Sequence, residues 1–340
     1  MEMRQPPAAG GGKKSGLAAS KIFGSISMIR ELGVFMGLVA LFIVFSLTTP
    51  VFFTYDNLMN VLRQVSILGI ISIGMSMVIG SGEFDLSVGS VYGMVAMFAG
   101  HMMTTMRLPI WFSVVAALLI GTFFGGVNGI LSTYVKVPSL IVTLGTLNAA
   151  RGFALLITGG LVITLSPRSV ADPHLPAFVF LGRGKLFGSV PTLTIAFVAI
   201  ALIGYIVYHK NIVGFRMKAV GGNPDAARVS GVNVQLFKIV AFAITGFLAG
   251  FGGILNFAFL NNVQGTMGIG LELDVIAATI IGGTSLKGGE GTILGTVIGV
   301  LILGILRNGL VLLGISPYLQ MVFIGVVIIA AVAVDMWTRR

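Results

Sequence analysis

Ten blocks of nearly unbroken apolar residues run along the chain, at 33–47, 65–79, 88–104, 110–135, 140–157, 193–208, 239–259, 273–281, 293–313 and 318–334. Most approach the ~20 residues that cross a hydrocarbon layer ~30 Å thick. The pattern predicts an all-α, polytopic helical membrane protein with about ten transmembrane helices. The eighth block is too short to cross alone, so its helix either starts near Gly268, with acidic residues inside it, or is broken. Two connections are long. One, 159–190, contains Pro167, Pro173 and Pro176, and the other, 209–238, is the most polar stretch after the N-terminal tail. The remaining loops are short, so residues 32–338 are expected to form a single transmembrane domain, preceded by a polar tail at 1–31 that is expected to be disordered.

Composition and charge sharpen this picture. Of 340 residues, 56% are hydrophobic and only 9% charged, against about a quarter charged in a soluble domain. The net charge of +10 fits the excess of Lys and Arg on the cytoplasmic side of membrane proteins better than it fits nucleic-acid binding. With the N-terminus inside, the cytoplasmic face carries Arg4, Lys13, Lys14, Lys21, Arg30, Lys136, Lys210, Arg216, Lys218, Arg228, Lys238, Lys287, Arg339 and Arg340. The outer face carries Arg63, Arg107, Arg168, Arg183 and Lys185. An even number of spans then puts both termini in the cytoplasm, with 159–190 as an outer (periplasmic) loop and 209–238 as a cytoplasmic one. No apolar core with a cleavage site follows the start, so no removable signal peptide is expected. The 48 glycines point to closely packed or interrupted helices, and the lack of cysteine excludes disulfides, thiolate metal sites and thiol nucleophiles.

Three segments carry candidate chemistry. In SGEFDLSVGS, 81–90, Glu83, Asp85 and Ser87 lie between apolar blocks among Gly80, Gly82 and Gly89. Ionisable groups at membrane depth usually face a bundle interior or a water-filled cavity. The segment is either a polar element beside a translocation path or a short cytoplasmic turn with solvated carboxylates, where Asp85 or Ser81 caps a helix. A weaker echo follows in the second half, where IIG at 280–282 precedes Gly291 and Gly295 much as VIG at 78–80 precedes Gly89 and Gly93. Broken segments at matching places in two halves point to a transport pathway, although glycine-rich strings also match by chance. In LELD, 271–274, Glu272 and Asp274 could accept hydrogen bonds from solute hydroxyls or pair with Arg151 and Arg307, since an isolated buried charge is heavily penalised. Asn148, three residues before Arg151, shares its helix face. In the cytoplasmic loop, Asn223 suits an N-cap, Pro224 the first helical position and Asp225 the dipole. Ala226, Ala227 and Arg228 favour helix, and Gly231, just after Ser230, can end it. Such a helix either rests on headgroups or docks into another protein.

GEFDLSVGS, GGNPDAARVSGVNV and ELDVIAATIIGGTSLKGGEGTILGTVIGVLILGILRNGL together resemble permeases of the ribose, xylose and arabinose importer family of ATP-binding-cassette transporters. The likeness runs from about residue 35 to the C-terminus, and three motifs agree in order and spacing. Glu83 and Phe84 depart from the family pattern. The resemblance implies about ten helices per subunit and a permease pair around a central path in the bacterial inner membrane. It also implies a cytoplasmic ATPase subunit and a periplasmic sugar-binding protein. In that pattern Asn223, Pro224, Ala226, Ala227, Arg228, Ser230 and Gly231 form the ATPase-coupling segment. Glu83, Asp85, Ser87, Asn148, Arg151, Glu272 and Asp274 lie near the path or its gates. The cargo would be a pentose, hexose, inositol or related polyol, and the chain itself would bind no cofactor.

Other classes fit less well. GRGKL at 182–186 and GGGKKS at 10–15 lack P-loop spacing, and neither HExxH nor GxSxG occurs, so neither ATP hydrolysis nor an intramembrane enzyme is expected. His101, His174 and His209 are scattered and read as incidental. An ion-coupled secondary transporter would also have broken helices and carboxylates but needs no docking helix. A channel would conduct without a binding protein, and no filter-like sequence is apparent.

Overall fold

The computed structural model describes residues 32–338, so the expectation of a disordered tail at 1–31 lies outside the described residues. The chain is almost wholly helical: α1 (Leu32–Thr48), α2 (Tyr55–Gly80), α3 (Val88–Thr104), α4 (Ile110–Thr133), α5 (Ser139–Leu156), α6 (Leu175–Arg183), α7 (Thr192–Tyr205), α8 (Ile212–Gly222), α9 (Pro224–Val229), α10 (Val234–Leu260), α11 (Leu271–Ile281), α12 (Ile293–Leu312) and α13 (Pro317–Thr338). α7 runs on into a π-helical turn, Ile206–Lys210.

Every one of the ten apolar blocks falls on a helix. Among the described residues, six helices are long and apolar enough to cross a membrane: α2, α4, α5, α7 with its π turn, α10 and α12. α11 has 11 residues and at 1.5 Å per residue spans about half the hydrocarbon thickness. It starts at Leu271, after Gly268 and Gly270 at φ +81° and +80°. The helix starts close to Gly268 with Glu272 and Asp274 inside it, as the first reading of the eighth block has it, and at 11 residues it still stays short. α2 starts ten residues ahead of its apolar block and carries Asn57, Asn60, Arg63 and Gln64 into the helix. The long connection 159–190 is not plain loop. It holds α6 and two short antiparallel pairings, β1 (Ile163–Thr164) with β4 (Asn262–Val263) and β2 (Lys185–Leu186) with β3 (Val190–Pro191).

Proline sets several starts. Pro109, Pro138 and Pro191 hold the extended conformation immediately before α4, α5 and α7, because a locked φ and a missing N–H stop helix from extending backwards. α10 is the axis of the bundle and packs on α2, α3, α4, α6 and α8. Its contact with α4 depends on glycines spaced four apart. A Cβ on Gly121, Gly125 or Gly129 would meet the α10 backbone at 2.8, 2.2 or 2.6 Å. Small residues in this spacing let two helices meet backbone to backbone, which is how helices associate in lipid.

Helix ends sort into two groups. At one end Tyr55 Oη donates to Ser189 O (3.2 Å), β1 pairs β4, and Asp172 accepts from Ile110 N at the start of α4 (2.9 Å). Backbone N–H groups of His174 and Ile110 hold the Asp172 carboxyl below the usual carboxylate range. At the other end Phe84 N donates to Ser139 Oγ (3.4 Å), Glu83 pairs with Lys238, and Gly289 N donates to Gly80 O (3.0 Å).

Candidate functional site

That second end is where the sequence motifs converge. α2 stops at Gly80, and residues 81–87 turn through Gly82 (φ +84°) before α3 begins. α11 stops at Ile281, and residues 282–292 turn through Gly283, Gly288 and Gly289 (φ +90°, +79°, +78°) before α12 begins. Thr292 then caps α12 by accepting from Gly295 N (2.9 Å). The two breaks touch. The Gly80 carbonyl, left without an intrahelical partner at the helix C-terminus, accepts from Gly289 N.

The end of α8 seals the junction. A Cβ on Gly221 would lie 2.0 Å from Gly80 O and 2.8 Å from Gly289 N, and one on Gly288 would lie 2.7 Å from Gly221 O and 2.9 Å from the Gly82 Cα. Three backbone segments therefore meet with no side chain between them. The residue after Gly222 is Asn223, whose Oδ1 accepts from Ala226 N (2.9 Å) to cap α9. Asn211 and Asn233 cap α8 and α10 in the same way, at 3.0 Å each. Gly231, at φ +79°, ends α9, and Val232 N closes on Ala227 O (3.0 Å). Cap, first-position proline and terminating glycine stand as the sequence predicts.

The faces of α9 hold a surprise. Ala227 is buried against the protein's own core, while Asp225, Ala226, Arg228 and Ser230 are exposed and Val229 is 90% exposed. Arg228 pairs with Asp225 at 3.3 Å. Lys218, in α8, sits 4.8 Å over the Tyr208 ring, and burial holds its ammonium below the usual lysine range.

Neither carboxylate of the first break is solvated, which corrects the reading of that segment as a turn with solvated carboxylates. Asp85, 1% exposed, accepts from Ser87 N (2.8 Å) and Ser87 Oγ (2.6 Å). Asn128 Nδ2 donates to the same Ser87 hydroxyl (3.0 Å), and Thr146 Oγ1 donates to Asn128 Oδ1. This chain of bonds ties the break to α4 and α5. Glu83 pairs with Lys238 near the start of α10. His209 is not incidental, since its Nε2 accepts from Ile293 N (3.2 Å) at the head of α12 while its ring packs on Tyr205 and Tyr208.

Of the remaining predicted residues, Asp274 faces away from the junction, while Glu272 and Arg151 flank the first turns of α3 directly after the first break, Glu272 Oε2 beside Gly89 and Arg151 Nη1 beside Gly93. Asp274 pairs with Arg307 at 2.9 Å. Arg151 Nη1 donates to the carbonyls of Gly265 (2.8 Å) and Met267 (2.6 Å), clamping the segment ahead of α11. Glu272 Oε2 is buried beside Gly89 and has no hydrogen-bond partner among the described residues. Asn148 stands apart, exposed and bonded to Leu144 O. Sequence reasoning missed Asn128, Thr146, Lys238 and His209, since each acts through a partner 18 to 155 residues away.

A bundle of membrane-crossing helices, interrupted twice at one end and gripped there by a capped surface loop, defines the class as a multi-pass membrane transport subunit. A family model described as "Branched-chain amino acid transport system / permease component" matches residues 57–332, and the chain belongs to that permease family. It is 40% identical over 301 residues to the ribose import permease protein RbsC of Haemophilus influenzae, covering 88% of this chain and 91% of that one. Over 308 residues it is 39% identical to RbsC of Bacillus subtilis (91% and 93% covered). Over 323 residues it is 33% identical to the galactose/methyl galactoside import permease protein MglC of Salmonella typhimurium (91% and 95% covered). No solved structure matches the chain.

Proposed function

We propose that this chain is the membrane-spanning permease subunit of a bacterial ATP-binding-cassette importer for a monosaccharide or related polyol of the pentose, hexose or inositol class. Relatives named as ribose and galactose import permeases, aligned over about nine-tenths of the chain, support the solute class. The observation that carries the mechanism is the glycine junction, because it makes the capped loop continuous with both helix breaks. Ten spans with both termini in the cytoplasm put the junction and α9 on the inner face of the inner membrane. The chain pairs with a second permease copy, receives solute from a periplasmic binding protein and binds no cofactor itself. Residues 1–31 are a cytoplasmic tail.

In this reading a cytoplasmic ATPase grips the exposed face of α9 around Ala226, Arg228 and Val229. Its closure moves α9 with Gly221 and Gly222, and the side-chain-free contact passes that motion to Gly80, Gly82, Gly288 and Gly289. The ends of α2, α3, α11 and α12 then shift together. Rigid elements with two arrangements can carry such a change. The Asp85–Ser87–Asn128–Thr146 chain and the Glu83–Lys238 pair keep the first break in register with α4, α5 and α10.

Cells that express the chain with its ATPase and binding protein should take up labelled monosaccharide in a way that stops when ATP is depleted. Uptake should persist under a protonophore that leaves ATP intact. Loss of uptake under the protonophore, at unchanged ATP, would identify an ion-coupled transporter instead.

A further inference from the structure

Tyr208 is the largest fully buried side chain among the described residues, and its Oη has no hydrogen-bond partner among them. It sits on the π-helical turn that ends α7, a rare local geometry found frequently at functional sites. α2, α8 and α9 close around it, and it shares an apolar cluster with Met77 and Val78 of α2, Val220 of α8 and Ala227 of α9. A Cβ on Gly80 would collide with the Tyr208 hydroxyl, and one on Gly214 of α8 would collide with the Tyr208 backbone. The hydroxyl therefore lies against the residue whose carbonyl accepts from Gly289 N at the glycine junction. Lys218, 4.8 Å over the ring, offers donors only and cannot accept the phenol proton. The next residue, His209, holds Ile293 N at the head of α12.

A buried hydroxyl without a partner is costly, and phenylalanine would fill the same space without that cost. In the arrangement described, the phenol oxygen contributes nothing that the ring does not. The Gly80 carbonyl has two lone pairs, of which Gly289 N uses one. We propose that Tyr208 is a positioning residue of the transport cycle: its hydroxyl donates to Gly80 O once the stroke displaces the end of α2 against α7, and so favours the displaced arrangement. The proposal rests on the importer reading above. An interaction moves a conformational equilibrium only when it differs between the two states. A hydroxyl that is unpaired in one and bonded in the other meets that condition, and the absence of a side chain at Gly80 leaves it room to sit there.

The test compares Tyr208→Phe with the wild type in two assays. One is the unfolding temperature of the full chain in detergent. The other is ATP-driven uptake of labelled D-ribose or D-galactose, whichever the wild type takes up, in cells that contain the ATPase and the binding protein. Phenylalanine removes a group that is unpaired here, so the unfolding temperature should hold or rise. Uptake at saturating sugar should nevertheless fall about tenfold, because the displaced arrangement loses its hydrogen bond, while the ATPase still co-purifies. Tyr205→Phe removes an exposed phenol from the same stretch of α7 and should match the wild type in both assays. A lower unfolding temperature for Tyr208→Phe would mean that the hydroxyl is already satisfied in this arrangement, by an ordered water for instance, and overturns the proposal. So does wild-type uptake by Tyr208→Phe, or an equal loss in Tyr205→Phe. If wild-type uptake itself is abolished by the protonophore at constant ATP, the importer reading fails and takes this role with it. If wild-type uptake follows ATP and Tyr208→Phe matches it, the role of Tyr208 alone fails.

Discussion

Val229→Asp is expected to cut ATP-driven uptake by at least about tenfold while leaving membrane insertion and helix content unchanged. Val229 is 90% exposed at the end of α9 and supports nothing inside its own chain. An apolar side chain held out on a short capped helix is suited to fill a partner's pocket. Anchors of that kind cost about 2 kcal/mol or more when lost at the centre of an interface. Aspartate would add the cost of desolvating a charge with no partner. Uptake and co-purification of the ATPase, measured together, check the prediction. Normal values for both would remove α9 from the coupling path. Ala227 is the wrong place to make this test. It packs against the core, so a bulky acid there would push α9 off its own protein and blur docking with local unfolding.

Two neighbouring glycines should behave in opposite ways. Gly221→Ala would drive a methyl group to 2.0 Å from Gly80 O and 2.8 Å from Gly289 N, against backbone that cannot step aside. Overpacking of this sort costs about 1–3 kcal/mol, and here it would pry apart the junction that carries the stroke. Uptake should fall at least about fivefold, with a lower unfolding temperature in detergent. Gly222→Ala would place its methyl 3.6 Å from the Gly289 Cα, an ordinary contact, and should transport like the wild type. Equal damage from both would mean that backbone freedom matters at this helix end rather than contact. Wild-type behaviour from both would show that the junction is looser than it stands here.

The contrast between what could and could not be read from the chain has a physical basis. Apolar blocks act locally, so all ten were legible and each became a helix. The capping of α9 was legible too, because Asn223, Pro224 and Gly231 satisfy backbone groups within a few residues. The partners of Asp85 were not, since Asn128 and Thr146 lie on α4 and α5 and resemble ordinary polar residues in apolar helices. For the LELD carboxylates the sequence left ion pairing and solute binding open. The structure pairs Asp274 with Arg307 yet leaves Glu272 Oε2 unbonded among the described residues. The glycine junction was half visible. The echo of VIG and IIG suggested two matching breaks, but nothing local says that Gly80 meets Gly289 or that Gly221 lies between them. Which face of α9 looks outward depends on packing over the whole bundle, and six residues are too few to show an amphipathic period.

The central claim is that a separate motor holds α9. The chain has no cysteine, so Val229→Cys places a single thiol at the proposed grip, and Phe187→Cys places one at the opposite end, where Phe187 is 91% exposed. With a short thiol-reactive photo-crosslinker on the assembled transporter, the thiol at 229 should capture the ATPase subunit in a nucleotide-dependent yield, and the thiol at 187 should not. Failure of position 229 to capture the ATPase, with its thiol labelled as freely in the complex as in the isolated permease, would contradict the account.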